Sequence, residues 1–158
     1  MADSERLKLA AFDEEDLAVV SACVQDAVLK VGEMVYLPKE RRFALGMNRF
    51  IWEQAADGSR QDFERRRAAL TFDRVLSVKT SNIRRDRPEA VLDLLTLSFA
   101  ATDAPAGTIT IVFAGGGAVR LEVEVIEARL ADLGTAWATR AKPSHDLAVG
   151  EAKPGRGA

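Results

Sequence analysis

The sequence contains one cysteine, Cys23, and one histidine, His145. A single thiol excludes an intramolecular disulfide and makes a reducing, cytoplasmic setting the expectation. One cysteine and one histidine also cannot supply the four nitrogen or sulfur ligands of a structural zinc site. No apolar run approaches the roughly 18 residues of a membrane span. The opening MADSERLKLAAFDEED lacks a basic stretch followed by an apolar one, so no signal peptide is expected. The only glycine-rich run, Gly115-Gly116-Gly117, precedes an expected strand and no GK[ST] follows it. It reads as a hairpin tip rather than a phosphate cradle, which needs a helix N-terminus behind it. A histidine-based triad would require His145 to be held by a third group against Cys23 or a serine. His145 instead lies in AKPSHDLAVGEAKPGRGA, a stretch rich in lysine, proline and glycine. No cofactor, no metal and no catalytic constellation are therefore expected.

What is present is ordinary globular material. The chain has 158 residues, 47% hydrophobic and 29% charged, which suits one domain with a substantial core. We assign residues 1–138 to that domain and 139–158 to a C-terminal tail. The formal charge of −2 conceals three segments: a net −5 over residues 1–38, +6 over 39–87 and −3 over 88–158. Eleven of the thirteen bases in the middle segment are arginines. Arginine's planar fork grips carboxylate or phosphate with two parallel bonds. The basic middle therefore has two readings: charge complementarity within the fold, or an exposed face for a partner or anion.

Local patterns give the elements. Leu7 and Leu9 flank Lys8 as in a short edge strand. Asp13 caps a helix whose first turn carries Glu14, Glu15 and Asp16 on the positive end of the dipole. Phe12 and Leu17 form a candidate staple, Leu17, Val20 and Val24 give one apolar stripe, and the helix ends near Gln25. A β-rich stretch broken at Gly32 runs to Leu37, and Pro38-Lys39-Glu40-Arg41 reads as a turn. In the strand from Arg42 to Glu53, Phe43, Leu45 and Met47 share one face while Phe50 and Trp52 take the other. That change of sides near Asn48–Arg49 predicts a bulge. Residues 54–62 read as a loop. A long strand is expected from Arg65 to Asn82, with Arg74 interrupting its apolar face; a bulge must turn Arg74 out or a carboxylate must meet it. Further strands are expected at Val91–Ala101, Thr108–Phe113 and Ala118–Val125. Ile126, Leu130 and Leu133, followed by Gly134, predict a closing helix with Trp137 packing back on the body.

Consecutive hairpins argue against a parallel doubly wound sheet. The expected fold class is α+β: a strongly bent antiparallel sheet or partly open barrel of pleckstrin-homology-like form, with an N-terminal helix and a short C-terminal helix. The candidate binding surface is Arg41, Arg42, Arg49, Trp52, Arg65, Arg66 and Arg67, where arginines alternate with aromatics. Core packing of Phe43, Phe50 and Trp52 explains the aromatics better than base stacking would, since no RNP-type run accompanies them and the overall charge is negative. Asp93 breaks an apolar strand. It is read as the ion-pair partner of Arg74 or as an exposed residue, with a site acid as the alternative. Cys23 is read as a small core hydrophobe.

Several short runs also resemble an uncharacterised alphaproteobacterial family known only as a domain of unknown function. They are Ser21-Ala22 with Gln25-Asp26-Ala27-Val28, Tyr36-Leu37-Pro38-Lys39, Arg42-Phe43, Asn48-Arg49-Phe50 and Trp52-Glu53. Arg120-Leu121-Glu122-Val123 and Ala131-Asp132-Leu133-Gly134 extend the resemblance to about Trp137. It implies no activity, cofactor or catalytic residue. The functional expectation is a non-catalytic binding or assembly protein whose partner is another protein or a second copy. The alternative is binding of an anionic ligand, RNA or a phosphorylated metabolite, through the central arginines; a carboxylate enzyme with Asp93 as base comes third. No membrane partner is expected.

Overall fold

The computed structural model describes residues 6–51, 64–134 and 137–138. Its order is β1 (Lys8–Ala11), α1 (Glu14–Val24), β2 (Val28–Lys30), β3 (Met34–Leu37), β4 (Arg42–Phe50), β5 (Glu64–Phe72), β6 (Val75–Ser81), β7 (Val91–Ala101), β8 (Gly107–Phe113), β9 (Ala118–Val123), β10 (Ala128–Asp132) and β11 (Trp137–Ala138). The strands join in one antiparallel path, β1-β10-β5-β4-β2-β7-β8-β9-β6, with β3 pairing β4 and β11 pairing β5. The expectations for Trp52, the 54–62 loop, His145 and the 139–158 tail lie outside the described residues, as does the Trp137 side chain.

The helix forms where its local chemistry places it. The Asp13 carboxylate accepts from the Asp16 amide at 2.8 Å, and Leu17, Val20 and Val24 are buried. Phe12 is 62% exposed, so only Leu17 of the expected staple packs inward. Helix α1 does more than cover the core. Beyond Asp93, β7 leaves β2, and the chain at the helix C-terminus takes over its edge: the Asp26 amide donates to Leu94 O and the Leu94 amide to Ala27 O. One turn back, Ser21 Oγ accepts the Leu97 amide at 3.0 Å, beside the irregularity between Leu94 and Thr96. Side chain and backbone thus satisfy an edge that would otherwise lack partners.

The core holds Leu17, Val20 and Val24 together with Leu45, Met47, Leu70, Ile111 and Leu121. Helix α1 therefore covers the inward face of the sheet. The opposite face of β4 and β5 carries Ala44, Gly46, Asn48, Phe50, Arg65, Arg67 and Ala69. Gly32 sits where the chain crosses from β2 to β3, with its amide donating to Pro88 O. A Cβ there would stand 3.0 Å from Pro88 Cβ, so the glycine admits a close backbone approach.

Four expectations are corrected. The sheet is open and uncurled: among the described residues β1 pairs only β10, β6 pairs only β9, and no ladder joins these two ends. Neither the barrel nor the pleckstrin-homology-like form holds. The bulge at Asn48–Arg49 is absent, because the β4–β5 register runs unbroken from Phe43↔Phe72 to Phe50↔Arg65. Phe43, Leu45, Met47, Arg49 and Ile51 all point inward, so a buried arginine had imitated a change of face. The expected Arg65–Asn82 strand is two strands, broken at Asp73 and Arg74, where Arg74 adopts φ +64°. The closing helix is strand β10: Ala128, Leu130 and Asp132 are buried at period two while Leu133 is 55% exposed.

Replacing Ser21 with alanine should strip the Leu97 amide of its acceptor. We expect a loss of about 1–3 kcal/mol in urea unfolding, with faster amide exchange at Leu97 than in the parent chain.

Candidate functional site

The period-two geometry of strands decides where each arginine goes. In the run Arg65-Arg66-Arg67, the middle residue faces inward and its neighbours outward. Register places Arg49 opposite Arg66, Asn48 opposite Arg67 and Phe50 opposite Arg65. The run is therefore two surfaces, not one patch. Arg41 and Arg42 lie at the other end of β4, about 27 Å away for an eight-residue step along a strand.

Inward, Arg49 and Arg66 converge on Asp132. Arg49 Nε and Nη2 donate to the two Asp132 oxygens at 2.9 and 3.1 Å, and Arg66 Nη1 donates to Oδ2 at 3.4 Å. The side chains are 2, 3 and 0% exposed. The Leu7 amide donates to Asp132 Oδ2 at 2.7 Å, and the Asp132 amide donates to Leu7 O at 3.0 Å. One carboxylate thus ties the entry to β1 to β4, β5 and β10. Burial alone pushes the Asp132 carboxyl up; the Arg49 hydrogen bonds, the Leu7 amide and the charges of both arginines outweigh it and hold the group below its ordinary value. Sequence reading missed Asp132, and the visible signal was its strand parity with Ala128 and Leu130.

Outward, Arg67 Nη2 reaches Glu33 at 2.6 Å and Nη1 reaches Asn48 Oδ1 at 3.2 Å. Gly46 makes room for it, since a Cβ there would stand 2.9 Å from Nη2. Arg65 lies over the Phe50 ring, 3.9 Å from its centroid, and donates to Asn48 O at 3.3 Å. Burial lowers its pKa, against the opposing charges of Asp93 and Asp26.

At the far end, a polar groove of about 420 Å³ gathers four arginines and four carboxylates. Arg42 and Arg129 share Asp73 at 2.8 and 2.7 Å, and Arg41 holds Glu124 at 2.8 Å. Arg74 pairs with Glu127 at 3.2 Å and Glu124 at 3.6 Å. A break between two strands, rather than a bulge, turns Arg74 out, and carboxylates meet it as anticipated. Asp93 is not its partner; it stands exposed on β7 opposite Val28. Here the arginines join the chain crossings after β3, β5 and β9, with the Val75 amide on Arg41 O and the Glu124 amide on Arg74 O.

Cys23 is half-buried and packs against the core. Gly115 and Gly116 form the β8–β9 hairpin tip with φ of +89° and +97°. Among the described residues, no group of three His, Cys, Asp or Glu side chains could hold a metal ion. No helix among them is long and apolar enough to cross a membrane.

Fold and site together define a mostly antiparallel open-sheet protein with one α-helix among the described residues, in which arginine–carboxylate pairs tie the strands. The chain belongs to DUF2948, a family of protein of unknown function, whose model matches residues 7–145. The resemblance read in the sequence is thus a family membership; the match does not bear on an alphaproteobacterial origin. No curated protein and no solved structure matches the chain.

Asp132→Asn should leave two buried guanidiniums without their anion and cost about 3–5 kcal/mol in denaturant unfolding. Joint replacement of Arg49, Arg66 and Asp132 by methionine or leucine should recover most of that loss. Because the folded pKa of Asp132 is depressed, its contribution is complete above the ordinary value of 3.8 and is lost as pH falls through the folded value. Stability measured below pH 3.8 should therefore fall more gently in the joint replacement than in the parent.

Proposed function

We propose that this protein is a non-catalytic binding or assembly module, working in the cytoplasm, whose partner is a protein. The observation that carries this reading is the disposition of the arginines. Of the six candidate arginines among the described residues, Arg41, Arg42, Arg49, Arg66 and Arg67 each already hold a carboxylate of the same chain. An RNA or phosphorylated metabolite would have to displace those carboxylates, so the anionic-ligand reading is the weaker one. Asp93, the candidate base of the enzyme reading, stands exposed on a strand rather than in a cleft that could hold a substrate against it. Exposed large apolar side chains favour a protein partner: Val35 at 47%, Leu37 at 37% and Val91 at 62% lie on outward positions of β3 and β7.

The test is recovery of an affinity-tagged chain, expressed at its native level and crosslinked in the cell. We expect a recurrent protein in near-stoichiometric amount, its own untagged copy included. A strictly monomeric chain that retains nothing above an untagged control contradicts the reading.

A further inference from the structure

We propose that the free edge of β6 takes an extended acidic segment of a partner protein as an added strand; this rests on the binding-module reading and names the site and the chemistry of that partner. Strand β6 ends the sheet path, with β9 as its one ladder partner among the described residues. Hydrogen bonds fix which of its groups face outward. The Phe113 amide donates to Gly117 O across β8–β9, while the Glu124 amide donates to Arg74 O on the β6 side. Alternation between these two bonds turns Ala118, Arg120 and Glu122 toward β6, where they pair with Ser81, Lys79 and Ser77. Val78 and Thr80 therefore point their amides and carbonyls away from β9. Among the described residues no backbone group bonds them there.

The bulge at Leu76 and the Tyr36 hydroxyl, which donates to Val75 O at 3.5 Å, close off the start of this edge. Ser77–Ser81 remain, enough to pair with a short strand. A segment added there stands about 4.8 Å from β6. Its inward side chains would cover Thr80 and Val78, which is half-buried against the core.

Its outward side chains would meet two cations. Register sets Lys79 directly opposite Arg120, and like charges in that position repel. Both are exposed, and among the described residues neither has an ion-pair partner within 4.0 Å. The carboxylate on their face, Glu122, already accepts the Thr108 hydroxyl at 3.0 Å. Beyond Ser81 the charge stays positive: Arg84, Arg85 and Arg87 are exposed, with Asp86 the one acid among them. An acid on the added strand beside Lys79 relieves the repulsion. A second copy of β6 would instead set Lys79 and Arg120 near their own duplicates, so the cations select against self-pairing. A nucleic acid could use the cations but not the row of amides and carbonyls. The outward positions of β6, β9 and β8 also offer no aromatic ring for its bases.

Selection from a phage library of random heptapeptides on the full chain tests this, with thermal unfolding to confirm that each variant folds. We expect proline-free sequences with acids at alternate positions. Thr80→Pro removes an edge donor and spares the β9 ladder, and it should weaken a selected peptide by at least about tenfold. Lys79→Glu should weaken it similarly and select basic peptides instead. In amide exchange, the bound peptide should protect Val78 and Thr80 and leave Ser77 and Lys79 as they were. Where Thr80→Pro does not fold, Lys79→Glu and the exchange pattern decide. No enrichment over the Thr80→Pro chain overturns the proposal. So does a peptide lost with Lys79→Glu yet indifferent to Thr80→Pro, which marks attraction between charges alone. Protection of the Val78 and Thr80 amides in the free chain also overturns it, because the edge is then held by the chain itself or a second copy. If the Thr80→Pro chain still retains its cellular partner, β6 is not the site and the binding-module reading stands.

Discussion

The bidentate grip of Arg49 on Asp132, with Arg66 closing on the same carboxylate, is the constraint on which the sheet depends. A strand register is ordinarily fixed by which apolar side chains face inward, and a slip by one residue exchanges the two faces. At this end of β4 and β5 the inward positions are charged. A slip of either strand would carry its guanidinium to the outer face and take its hydrogen bonds from the buried carboxylate. The ion cluster therefore specifies register where the apolar pattern stops doing so. It also recruits the Leu7 amide, so the shortest terminal strand of the path is anchored by the same group.

The two other arginine sites follow a similar logic at lower cost. In the groove at the far end, the arginines are half-exposed, and each pair contributes little alone. Their position matters more than their number: they bridge crossings where backbone ladders end, and backbone bonds from Val75 and Glu124 run beside them. On the outer face, Arg67 and Glu33 tie the short turn after β2 to β5. The positive middle of the sequence is thus largely the complement of acids elsewhere in the fold. Asp132, Glu124 and Glu127 come from the acidic C-terminal segment, and Glu33 comes from the N-terminal one.

Much of the fold was legible because local chemistry and pattern agreed. The Asp13 cap, the Leu17, Val20 and Val24 stripe and the alternation from Val119 to Val123 each speak for one structure, and the chain adopts it. Where legibility failed, a charged residue occupied an inward position. Arg49 broke the parity of β4 and suggested a bulge. Asp132 broke the parity of β10, leaving Ile126, Leu130 and Leu133 to imitate a helix. Arg74 could be recognised as anomalous but not resolved, because its left-handed backbone and its partners Glu124 and Glu127 are set by a crossing between distant strands. The arginines of the candidate surface divide for the same reason: a run of basic residues on a strand distributes itself over two faces, and only pairing shows which face is buried.

The most direct measurement is nuclear magnetic resonance of the arginine side chains at neutral pH. If Arg49 and Arg66 are locked on Asp132, their Nε–H protons should exchange slowly and their guanidinium groups should rotate slowly about the Nε–Cζ bond, unlike those of Arg84. Fast exchange and averaged guanidinium signals at both Arg49 and Arg66 would contradict a buried, carboxylate-locked cluster.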